Sequence, residues 1–121
     1  MKIKLILCLI TLLQFIILSC TSIASLPEEP EAPIEPTLKN LSIYEAKLTG
    51  YALYLETFLV RTKQKFRDSD FPTFTLLNSS VLREEHTLEA VKDNIAHLKH
   101  YINNTKPIAI SVYKKYSKLK K

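Results

Sequence analysis

An all-α fold follows from three features of this 121-residue chain. It has a single glycine, its composition is 46% hydrophobic with no tryptophan, and its apolar side chains recur at helical spacing. The expected domain is two long amphipathic helices plus a shorter C-terminal helix over residues 41–121. A signal peptide over 1–24 and a Pro/Glu-rich disordered linker over 25–40 precede it. A domain this small buries a limited core, so apolar packing must carry its stability, with self-association or a partner as a natural complement.

Lys2 and Lys4 precede an apolar run from Leu5 to Leu18, interrupted only by Thr11 and Gln14, and small residues follow. That is the three-part layout of an export signal, with Ser22 and Ala24 correctly spaced for a cut between Ala24 and Ser25. The run is shorter than the roughly 20 apolar residues of a spanning helix. A second cut can be read in Ile17-Leu18-Ser19-Cys20, which approximates a bacterial lipobox and would make Cys20 the lipidated first residue of a surface lipoprotein. Cys8 and Cys20 are the only cysteines, so neither route leaves a disulfide framework in the mature domain. Three N-glycosylation sequons, at Asn40, Asn78 and Asn103, weigh toward eukaryotic secretion over the lipoprotein reading.

The linker holds Pro27, Pro30, Pro33 and Pro36 together with Glu28, Glu29, Glu31 and Glu35, a composition that favours extended, solvated backbone. The chain as a whole is +5, so the region beyond this acidic stretch is more basic still, and Lys114, Lys115, Lys118, Lys120 and Lys121 crowd its end. Those lysines suit a solvated tail, or contact with an acidic glycan or membrane surface, whereas an exported chain does not meet intracellular nucleic acid.

Ser42-Ile-Tyr-Glu45 has the form of a capping box, with Leu41 and Ala46 at the staple positions, and predicts the start of the first helix. From there Tyr44, Leu48, Tyr51, Leu55, Phe58 and Thr62 alternate at four and three, a stripe widened by Ala52 and Leu59 and reaching about Phe66. The opposite side is also apolar: Leu53, Thr57 and Val60 at its centre, Tyr54 and Arg61 at its edge. Either a third helix covers that strip, or it is a partner-binding surface, since contiguous apolar groups left in water mark interfaces.

Pro72 ends helical continuation in the connector, and Phe71 and Phe74 can fold back on the core. The second helix is expected from about Val81 to Ile102, with Leu88, Val91, Ile95, Leu98 and Ile102 inward and His86, Asp93, His97 and His100 on the other side. Three ligands on a solvated face without supporting groups do not make a metal centre, and neither metal nor cofactor is expected. Asn103-Asn-Thr-Lys-Pro107 is taken as a break. Beyond it Ile108, Ile110 and Val112 alternate like a strand, while Ala109, Val112, Tyr113, Tyr116 and Leu119 fit a helix face. Pro107 at a first helical position and the terminal lysines favour the helix.

No glycine-rich phosphate loop, nucleophile elbow or zinc cysteine pair is present, so a non-enzymatic binding protein is the expectation. Over residues 42–105 a long first helix, the Asp70-Phe71-Pro72-Thr73-Phe74 connector, sequons at Asn78 and Asn103, and a charged second helix resemble the leukaemia inhibitory factor branch of interleukin-6-type cytokines. That resemblance implies a partial four-helix bundle and a secreted ligand for a cell-surface receptor, with the outer face of the first helix contributing to contact. The competing class is a spirochaete-like surface lipoprotein, tethered at Cys20 through a polar spacer and acting as a helical adhesin or host-protein binder.

Overall fold

The computed structural model describes residues 26–118. Both candidate processing points, Ala24–Ser25 and Cys20, lie outside the described residues. Two α-helices, α1 (Leu38–Phe66) and α2 (Leu88–Ser117), are joined by a connector that holds one short 3-10 turn (Ser79–Val81). The all-helical expectation holds, and no strand occurs among the described residues.

The helices run parallel. Near their starts, Asn94 Nδ2 donates to Glu45 Oε1 at 2.8 Å. At their ends the Phe66 and Tyr116 rings lie 4.8 Å apart. With 29 and 30 residues respectively, each helix is about 44 Å long at 1.5 Å per residue. A parallel pair needs a connection that travels back the whole length, and the connector does so in largely irregular structure. It leaves the top with Phe71 5.5 Å from Tyr116, passes mid-height where Tyr101 Oη donates to Thr75 O at 3.1 Å, and reaches the bottom at Arg83 beside Asn94.

Between the helices lies a core of Leu48, Leu55, Leu59, Leu98, Ile102 and Val112, all nearly or fully buried. The first-helix stripe is therefore correctly phased, with Phe58 and Thr62 only partly covered. Its start is earlier than the capping box implies. Thr37, with extended backbone, accepts the Asn40 N–H on its side chain at 3.2 Å, and its carbonyl takes the Leu41 N–H at 2.8 Å. Ser42 thus lies inside the helix with its Oγ buried and unpartnered, and Glu45 is drawn away to Asn94. The helix end near Phe66 is as expected: Arg67 turns into the left-handed region at φ 47° and returns its N–H to Lys63 O.

Helix α2 begins later than expected, at Leu88, because the Thr87 side chain caps it by accepting the Ala90 N–H. Residues 81–87 belong to the connector instead. The expected third helix exists as helix but not as a separate element: α2 runs straight through Asn103–Pro107. A proline inside a helix costs about 3 kcal/mol. Here the buried positions Leu98, Ile102, Thr105, Ala109, Val112 and Tyr116 keep one phase across Pro107, so packing against α1 outweighs that cost. Pro107 itself sits on the exposed side.

Before α1, residues 26–37 carry no helix or strand, yet they lie against the pair. Leu26 packs on the core, and the Glu29 carboxylate meets Lys99 Nζ at 3.3 Å. Glu31 and Pro33 lie against Asn40, Ile43, Tyr44 and Lys47. The boundary placed at residue 40 moves back to Thr37, and the acidic segment forms a strap that descends from mid-height to the foot of α1.

Candidate functional site

Two flanks of the helix pair need cover, and they receive it unequally. The connector occupies one. It inserts Phe71, Phe74, Leu77 and Leu82 against the core and is pinned by polar groups of both helices. The Leu77 N–H donates to the Glu56 carboxylate, and Asn94, buried to 2% exposure, grips Arg83 as another backbone would. Its Oδ1 accepts the Arg83 N–H at 2.7 Å, while Nδ2 donates to Arg83 O at 2.9 Å and to Glu45. Both amide hydrogens and the amide oxygen are engaged, in a place where an unmet polar group would be costly.

On the other flank the strap covers only the lower half. Above it opens a groove of about 460 Å³, floored by Phe58, Phe66, Val112 and Tyr116 and edged by Tyr54, Thr57 and Tyr113. Two cations, Arg61 and Lys65, belong to its wall, and no acidic residue does. The spacing Lys47, Tyr54, Arg61 is seven residues each time, which keeps strap contact and groove on one face of α1.

The groove's upper end is fixed by a polar knot under the aromatic cluster. Asp68 takes hydrogen bonds from the Asp70 N–H at 3.0 Å and Tyr116 Oη at 2.8 Å, and Lys115 Nζ lies 3.3 Å away. The backbone donor, the phenol and the ammonium together hold the Asp68 carboxyl below its ordinary pKa. Lys115 is correspondingly held more firmly protonated, while burial first and Asp68 second raise the Tyr116 phenol. Phe71 and Phe74 meet edge to face beside this knot, their centroids 6.0 Å apart.

The five-residue strip expected to bind a partner is divided by this arrangement. Tyr54, Thr57 and Arg61 line the groove. Leu53 and Val60 stand three before and four after Glu56, hence on its side, next to the connector. Leu53 is 47% exposed and no third helix covers it among the described residues, whereas Val60 is half-buried. His97 and Asp93 are 3.9 Å apart and His100 meets Asn104, but among the described residues no group of three or more metal-ligating side chains forms. Of the C-terminal lysines, Lys115 is engaged by Asp68, Lys114 and Lys118 are exposed, and Lys120 and Lys121 lie outside the described residues.

Sequence reasoning missed Asn94, Asp68, Thr37 and Glu29. A lone asparagine inside an apolar stripe was the available signal for the first of these, since Asn94 falls four after Ala90 and four before Leu98. The sequon asparagines serve local structure instead. Asn40 Nδ2 donates to Glu35 O at 3.1 Å, and Asn78 caps the 3-10 turn by accepting the Ser80 N–H and Oγ–H. Asn103 is exposed on α2.

Comparison with known proteins overturns the cytokine resemblance and with it the reading as a secreted glycoprotein. The model of the Borrelia orf-D family matches residues 25–118. The chain is 56% identical over 105 residues to the outer membrane lipoprotein BBA14 of Borreliella burgdorferi, covering 87% of each chain. The Asp-Phe-Pro-x-Phe segment that carried the resemblance is explained by the fold, as Phe71 and Phe74 pack on the helix pair where the connector turns downward. The sequons that favoured eukaryotic secretion have no bearing in a bacterial family.

Proposed function

Because the chain belongs to the Borrelia orf-D family, we propose that it is an outer-membrane lipoprotein, tethered through Cys20 and acting by binding rather than catalysis. The observation that carries this reading is the lipobox-like Ile17-Leu18-Ser19-Cys20 in a close relative of an outer membrane lipoprotein. In this reading the signal ends at Ser19, and residues 20–25 link the lipid to Leu26, which packs on the core. The helix pair then stands outside the bilayer with its open face available. No helix among the described residues is long and apolar enough to cross a membrane.

The surface offered to a partner in this reading is the connector side of the outer strip of α1, with exposed Leu53 at its centre and half-buried Val60 beside it, while Tyr54, Thr57 and Arg61 belong to the groove. An extracellular protein is the partner class, and the exposed Lys114 and Lys118 favour an acidic one. The tether is tested by metabolic labelling with a radioactive fatty acid. The native protein should carry label and fractionate with the outer membrane, and Cys20→Ala should lose both. An unlabelled wild type beginning at Ser25 would refute the tether.

A further inference from the structure

We infer that the open groove is filled by the acidic strap of a second copy of this chain, giving a two-fold dimer. Strap and groove lie on the same face, at different heights: the strap beside Tyr44 and Lys47, the groove from Tyr54 to Phe66. Their levels differ by roughly fourteen residues of α1, or about 20 Å. A two-fold axis perpendicular to α1 near Tyr51 exchanges the two levels, so each strap meets the other copy's groove and the contact closes on itself.

The chemistry of the two surfaces is complementary. The groove has an aromatic and aliphatic floor and a wall whose charges, among the described residues, are Arg61 and Lys65. Glu28, Glu31 and Glu35 of the strap are exposed, while Glu29, the remaining acid, is held by Lys99 of its own chain. Among these acids stands Ile34, fully exposed at 100%, an apolar side chain that nothing among the described residues covers. An apolar prong flanked by carboxylates fits an apolar slot flanked by cations. Pro33 and Pro36 on either side stiffen the prong and reduce the ordering cost of seating it. The inference concerns the groove and does not depend on the lipid tether.

Cysteine cross-linking in the full-length protein, expressed in its own host, tests this. Either processing route leaves the mature chain without a free thiol, so introduced cysteines are unique whether or not the tether reading is correct. Ile34 and Thr57 are both exposed and stand well apart along α1, beyond the roughly 7 Å Cα separation a disulfide tolerates, so a bond between them must join two chains. Co-expressed Ile34→Cys and Thr57→Cys variants should give a disulfide-linked dimer on mild oxidation of intact cells. Arg61→Glu, placed in the Thr57→Cys chain, should lower its yield about tenfold by setting like charges together, and Glu31→Arg in the Ile34→Cys chain should restore it. Monomers only, a yield unchanged by Arg61→Glu, or equal cross-linking of His86→Cys with Thr57→Cys would overturn the proposal. A disulfide adduct of Thr57→Cys with a different protein in place of the dimer would assign the groove to a foreign partner and overturn it as well.

Discussion

The connector and the strap do the same job on opposite flanks of one helix pair, and the difference between them lies in what each inserts. The connector brings four apolar side chains to the core and is held by hydrogen bonds to Tyr101, Glu56 and Asn94 at three heights. The strap brings Leu26 and one partly exposed charge pair, and half of its flank stays open. Cover that is built into the core stabilises the monomer. Cover that rests on exposed charge leaves surface for something else. Each flank can be tested separately by removing its pin.

The largest effect is expected on the connector flank. Asn94→Ala leaves the Arg83 N–H and carbonyl without partners inside the protein and strands Glu45 beside them. An unsatisfied buried group costs about 1–3 kcal/mol, so a loss near the upper end of that range is expected from the shifted midpoint of urea unfolding. A shift below about 0.5 kcal/mol would mean that water replaces the amide freely and that the connector's foot is not part of the core.

A smaller effect, dependent on pH, is expected where the connector leaves the top. The Asp68 pKa is depressed in the folded protein, so its contribution is fully present above the unfolded carboxyl value of about 3.9 and is lost as pH falls through the folded value. Asp68→Asn should lower the melting temperature by a few degrees at neutral pH, and its gap to the wild type should close on acidification below about pH 4. A gap that persists unchanged in acid would show that the carboxylate's charge is irrelevant there.

Legibility in the sequence followed the range of the interactions. The helical stripes were readable because their repeat is local, and Leu48, Leu55, Leu98 and Ile102 are buried as their spacing implies. The caps were misplaced because Ser42 and Thr37 offer the same local chemistry and the choice is made by Asn94, which takes Glu45 from 49 residues away. Pro107 looked like a boundary for the same reason: a breaker's local cost is visible in sequence, while the continuous packing of Thr105, Ala109 and Val112 on α1 is not. The parallel arrangement was unreadable too, since the pins at Thr75, Leu77 and Arg83 are tertiary hydrogen bonds. Of the site, the outer apolar strip of α1 was legible. Its division into a groove wall and a connector margin depends on where the connector lies.

The smallest effect belongs to the strap, and it is the most informative about the open flank. Glu29 and Lys99 retain 23% and 37% side-chain exposure, a position where an ion pair contributes between nothing and about 1 kcal/mol. Glu29→Gln should therefore change unfolding stability by less than about 0.5 kcal/mol, several-fold less than Asn94→Ala. The same substitution has a second, local readout. The Tyr51 phenol is raised above its ordinary pKa by burial first and by the Glu29 charge second. Removing that charge should lower the Tyr51 value part of the way, leaving it still above the ordinary value because the burial remains. Absorbance of the ionised phenol through an alkaline titration, against a Tyr51→Phe control, reads this directly. A lowered Tyr51 value with unchanged stability would establish a strap that lies on the helices without helping to hold them together. Loss of more than about 2 kcal/mol would place the strap in the core with the connector, and the contrast between the flanks would fail.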